Sequence, residues 1–132
     1  MQGQVNFHEW LRDQQRAAYA EMHTAAMETL RLGHAVAGSG TTLRVLASGP
    51  TLRAALDESL YQLVRAGSTV GMVGPQSMEQ VAEDIVKVSY RFPSNSPQAA
   101  SNWIKWTENV TAVLGVFTDE ANKIISDPPA LK

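Results

Sequence analysis

Three imidazoles, His8, His23 and His34, are the first candidates for metal binding or proton transfer in this chain. All three fall in one predicted helix. His23 and His34 lie three turns apart, about 16 Å along the axis at ~1.5 Å per residue, so one ion cannot bind both within a single chain. No Glu-x-x-His or His-x-x-x-His pair occurs, so the di-metal signature of helical-bundle enzymes is missing. The carboxylates come as adjacent pairs, Asp57-Glu58, Glu83-Asp84 and Asp119-Glu120. Neighbours on a helix diverge by about 100°, so such pairs do not converge on one substrate atom. Glu79 and Glu83 share a face at i, i+4, but that face reads as solvated. There are no cysteines, hence no thiolate nucleophile, disulfide or Cys-ligated metal. No Gly-x-Ser-x-Gly motif offers a nucleophilic serine. The expectation is a protein with no catalytic residue, no metal and no cofactor.

A glycine-rich stretch, Gly67-Ser68-Thr69-Val70-Gly71-Met72-Val73-Gly74, makes a stronger case for binding chemistry. It reads as a loop ahead of a helix that Pro75 opens. Free backbone N–H groups at a helix start can hold an anion. A small-ligand or anion-binding domain would therefore use Gly67, Gly71 and Gly74. The stretch lacks the Gly-Lys-Ser/Thr ending and the Gly-x-Gly-x-x-Gly spacing of nucleotide loops. Its Val70, Met72 and Val73 suit a flap packed on the end of a bundle.

The elements that would position these groups follow from hydrophobic spacing. Asn6 reads as an N-cap with Glu9 as its capping-box partner, starting a helix that runs to about Ala37. Phe7, Leu11, Ala18, Met22, Ala25, Leu32 and Val36 share one face of it, with Trp10 and Ala17 at the edge; Arg12, Arg16, His23 and His34 fall opposite. Ala37-Gly38-Ser39-Gly40 ends it. Thr41–Leu46 alternates like a strand but has nothing to pair with, so a helical lead-in is preferred. Ser48-Gly49-Pro50 reads as a break. A second helix then carries Leu52, Leu56, Leu60, Leu63 and Val64 and stops at Gly67. A third helix carries Met78, Val81, Ile85, Val88 and Phe92 at alternating steps of three and four. Pro93-Ser94-Asn95-Ser96-Pro97 is a turn, with Ser96 placed to cap the last helix. That helix runs to about Ser126 with a second heptad seam, Trp103, Trp106, Val110, Val113, Phe117 and Ile124. The expected fold is all-α, a four-helix bundle with long first and last helices, forming a single helical domain over residues 1–132.

Composition agrees with that. The hydrophobic fraction of 44% is ordinary for a globular chain, and the net charge of -2 lacks the broad positive field that nucleic-acid binding needs. The segment Met1–Glu9 has no basic start followed by an apolar run, and no stretch approaches the roughly 20 apolar residues of a membrane span. A soluble cytoplasmic protein is the expectation. Trp103 and Trp106 could seat the last helix at a membrane interface, but Glu108, Asp119 and Glu120 outnumber Lys105 and Lys123 there, so packing against protein is preferred.

Arg16-Ala17-Ala18-Tyr19-Ala20-Glu21, with Val45-Leu46-Ala47-Ser48-Gly49-Pro50 and Leu52-Arg53-Ala54-Ala55-Leu56, resembles a family of short uncharacterised helical proteins common in actinobacteria. The likeness covers roughly the first half of the chain and brings no activity with it. It implies an Arg-x-x-Tyr helix, an apolar run, a Gly-Pro break and an Ala-rich helix. Arg91-Phe92-Pro93 with Val110-Thr111-Ala112, Leu114-Gly115 and Phe117 resembles a stretch of rod-shaped plant virus coat proteins, which are also helical bundles. Where those carry RNA-contacting arginines this chain has Thr118, Asp119 and Glu120, so the likeness does not extend to RNA packaging.

Chemistry-bearing constellations are absent and helix seams are conspicuous. The expected function is thus a non-enzymatic interaction or assembly module. It would self-associate or bind a partner protein through the face of Trp103, Trp106, Val110, Phe117 and Ile124, since Trp is enriched at interface hot spots.

Overall fold

The computed structural model describes residues 2–38, 42–91 and 99–126, with side chains described over 7–35, 54–91, at 102 and over 104–126. Four helices follow one another: α1 (Gln2–Gly38), α2 (Thr42–Val73), α3 (Gln76–Tyr90) and α4 (Ala99–Ser126). No strand occurs among the described residues. The protein is an all-α four-helix bundle in which α1 packs on α2 and α4, and α3 closes the ring between α2 and α4. Cross-contacts fix the directions. Gln15 lies against Val73 and Thr29 against Ser59, so α1 and α2 are antiparallel. Gly71 meets Glu79 and Gly67 meets Val86, so α2 and α3 are antiparallel too. Trp106 meets Ser89, and Arg12 meets Ile125, which closes the up-down-up-down ring.

The core sits where the seams converge. Met22, Ala26, Leu56, Leu60, Leu63, Val70, Met78, Ile85, Val110 and Phe117 are fully enclosed. The helices form because runs of Ala, Leu, Met and Glu carry little helical entropy cost and present apolar stripes that a neighbour covers. α1 touches two partners, so it buries two flanks: Ala18, Met22 and Leu32, as expected, and also Tyr19, Ala26 and Leu30.

Several expectations are corrected. α1 starts at Gln2, so Asn6 is inside the helix rather than at its cap. Phe7 and Trp10 are each 55% exposed. The α2–α3 turn sits beside Gln15 and Tyr19 and the end of α4 beside Arg12, so at Phe7 and Trp10 α1 has run past its described neighbours. Ser48-Gly49-Pro50 does not break α2. A proline inside a helix forfeits one i→i−4 bond, and the residues on both sides keep theirs. Val64 is 37% exposed, and Ser59, Ala66 and Val70 take the buried positions of α2 instead. The Pro93–Pro97 turn, the Ser96 cap and the side chains of Val36, Leu52, Phe92 and Trp103 lie outside the described residues.

Candidate functional site

Most of the described α4 seam is covered by the chain's own helices. Trp106 is 3% exposed, Val110 and Phe117 are buried, and Ile124 packs half-buried on the core. The Trp106 Nε1–H donates to the Ser89 carbonyl on α3 at 3.1 Å. On its other side the ring lies against Gly33 of α1, so closely that a Cβ there would overlap it. One indole thus joins three helices. Phe117 meets the Tyr19 ring edge-to-face, centroids 6.0 Å apart at 82°. These residues were expected to form an interaction face. Their burial places them in the core, since α1 and α3 together cover what the heptad spacing left open.

The glycine-rich stretch is likewise not a loop. α2 continues to Val73, so Gly67 and Gly71 are helical and their N–H groups belong to the helix. Gly67 faces Val86 and Met22 with just enough room for a close helix crossing. Gly74 ends α2 with a positive φ of 59°, its N–H bonded to the Val70 carbonyl at 3.0 Å. This is the left-handed closure that glycine adopts without a Cβ penalty. The turn is only Gly74 and Pro75, and α1 holds it. Gln15 Nε2 donates to the Val73 and Gly74 carbonyls at 3.2 and 3.4 Å, and the Tyr19 hydroxyl donates to Gly74 at 2.5 Å. Burial pushes the Tyr19 phenol up to about 12. The anion-binding loop expected at Gly67, Gly71 and Gly74 therefore has no free row of amides to offer.

His8, His23 and His34 are exposed. No group of three or more His, Asp or Glu residues among the described residues could hold a metal ion. No described helix is long and apolar enough to cross a membrane.

A groove lies open between α1 and α2. Their shared seam is pinned by a buried hydroxyl pair. Thr29 Oγ1 donates to the Ala25 carbonyl at 2.9 Å, so in its 2.6 Å contact with Ser59 Oγ the serine is the donor. Directly above that pair runs a groove of about 620 Å³. Ala25, Leu32 and Ala55 form an apolar floor with Ser59 beside them, exposed Ala20, Thr24 and Gln62 line the edges, and Glu21, Glu28 and Glu58 stand on the rim. The groove exists because α1 and α2 place alanines where larger side chains would fill the valley. Arg31 holds the Glu28 carboxyl below its usual range through two hydrogen bonds, at 3.0 and 2.6 Å. Tyr61, 55% exposed, follows Glu58 by three residues and so stands on the α2 shoulder.

Sequence reasoning missed this groove. Its signal is the Ala20/Ala25/Ala55 set flanked by three glutamates, which reads as helix propensity until the two helices are paired in register. Comparison with known proteins assigns no relationship: no protein-family model, no curated protein and no solved structure matches the chain.

Proposed function

We propose that the protein is a non-enzymatic helical interaction module that receives a segment of another polypeptide in the α1/α2 groove. One observation carries this reading. Trp106, Val110 and Phe117 are enclosed within the bundle, whereas a concavity floored by Ala25 and Ala55 lies open at the surface between α1 and α2. Bundles commonly build binding sites between helices, and a helix laid in such a valley is a recurring mode of recognition. Scarcity of catalytic groupings in the described residues is consistent with a binding role and is not its basis.

Site-specific photo-crosslinking in living cells tests it. A photoreactive side chain at Ala20 or Gln62 should give a discrete crosslinked polypeptide, whereas one at Glu79, exposed on α3, should not. Equal crosslinking from all three positions would contradict the reading.

A further inference from the structure

We propose that the occupant of the groove is an amphipathic helix of a partner protein whose apolar ridge is flanked by Lys or Arg; this rests on the interaction-module reading above. The first argument is charge. Glu21 and Glu28 stand on the α1 rim two turns apart, about 10 Å, and Glu58 faces them from α2. Among the described residues no Lys, Arg or His lines the groove. Arg31 bonds Glu28 from outside the lining through two hydrogen bonds, so a ligand cation must share that carboxylate with it, and Glu21 and Glu58 carry the larger part of the attraction. A ligand helix with acidic flanks would meet three like charges, and one with basic flanks would meet three opposite ones.

The second argument is shape. From Ala20 to Leu32 the groove lining extends about 18 Å along α1, the rise of some three helical turns. Ala25 and Ala55 keep the floor low and Ala20 keeps the α1 edge low, so a third helix can approach α1 and α2 at ordinary packing distance and seat its ridge between them. An extended strand would find no unpaired backbone here, because both walls are helical and internally hydrogen-bonded. The chain itself, at a net charge of -2, is a poor source of such a helix.

Three fluorescein-labelled peptides of about 18 residues test the inference. They share one leucine ridge and differ in carrying Lys, Gln or Glu elsewhere. Binding to the full chain is read by anisotropy at about 50 and about 500 mM NaCl, and every variant is first checked for wild-type helicity. The Lys peptide should bind at least tenfold tighter than the other two at low salt, an advantage mostly lost at high salt. Glu21→Gln/Glu28→Gln/Glu58→Gln should remove that advantage, three exposed ion pairs each worth a roughly two- to three-fold factor. Ala20→Trp, which raises a bulky wall at the α1 edge of the groove, should weaken binding at both salt concentrations. Glu79→Gln/Glu83→Gln on α3 should change nothing. An equal effect of the α3 and rim variants would mean nonspecific attraction and would overturn the proposal. Equal binding of the three peptides would overturn the charge class and leave the helix-binding reading standing. Binding of none would overturn both. Sedimentation showing a dimer that Ala20→Trp splits would make the occupant a second copy, against the proposal but not against an interaction role.

Discussion

Replacing Gly33 by alanine puts a methyl group where the Trp106 ring lies, and this is the most demanding test of how the bundle is closed. In an exposed helix the same change is favourable by up to ~1 kcal/mol, because glycine is the poorer helix former. Here three consequences compete with that gain. The ring must move, and overpacking a filled core costs about 1–3 kcal/mol. The ring also donates Nε1–H to the Ser89 carbonyl, so displacement strands a buried donor and acceptor, a further ~1–3 kcal/mol. The nearby Ser89 hydroxyl, buried with no hydrogen-bond partner among the described residues, is not itself a donor to that carbonyl. Subtracting the propensity gain leaves a net loss of about 3 kcal/mol, or some 10 °C in Tm for a domain of this size. Urea unfolding followed by far-ultraviolet circular dichroism measures it, with an unchanged m-value as the sign that the unfolded state is the same. Gly115→Ala is the matched control. Gly115 lies in α4 with nothing within 4 Å of the added Cβ, so that variant should be as stable as wild type or slightly more so. Trp106→Phe, which trims the ring, should recover part of the Gly33→Ala loss in the double variant, a coupling visible only if the two sites touch. A Gly33→Ala protein as stable as Gly115→Ala would refute the account of Trp106 as the three-helix junction.

Three further outcomes follow from other contacts. Tyr19 is held neutral in the folded chain, its pKa pushed up to about 12, so its contribution to folding stability should be constant below pH 10 and be lost as pH rises from 10 towards 12; Tyr19→Phe should lose that portion of the dependence, read by urea midpoints across the alkaline range. Thr29→Val leaves the buried Ser59 hydroxyl without its acceptor and should cost about 1–2 kcal/mol, whereas Thr29→Val/Ser59→Ala should cost less than the sum of the singles. Arg12 Nη1 donates to the Ile125 carbonyl at 2.6 Å, in the last turn of α4 where a cation also favours the helix dipole; Arg12→Ala should accelerate amide hydrogen exchange over residues 120–126 while leaving α2 unchanged.

The number and kind of elements were legible in the sequence because heptad spacing reports a helix and the side it buries. Met78, Ile85, Val110 and Phe117 fell where spacing put them. Punctuation was read less well. Gly67 and Gly71 resemble loop residues in one dimension, but small side chains in a helix also serve close crossing, and only the presence of Val86 and Met22 beside Gly67 separates the two uses. Phe7 lies on the apolar face by spacing and Trp10 at its edge, yet both are exposed, since periodicity tells which way a side chain points, not how far a neighbouring helix extends. Gly33 carried no signal at all, because its role is set by a tryptophan more than seventy residues away. The groove was invisible for the same reason: its two walls belong to helices whose register the sequence does not state.

The bond from Arg12 to Ile125 joins the first and last helices at one end of the bundle, across a sequence separation of 113. A force applied at these two residues, as by a tether on each helix, therefore does not shear α1 along α4. It opens the pair like a zipper, with the Arg12 bond loaded first, then Tyr19 against Phe117, and the Trp106 junction at Gly33 last. Contacts loaded one after another give way at lower force than contacts loaded together. The bundle is thus mechanically soft along the axis joining residues 12 and 125, whatever its thermal stability.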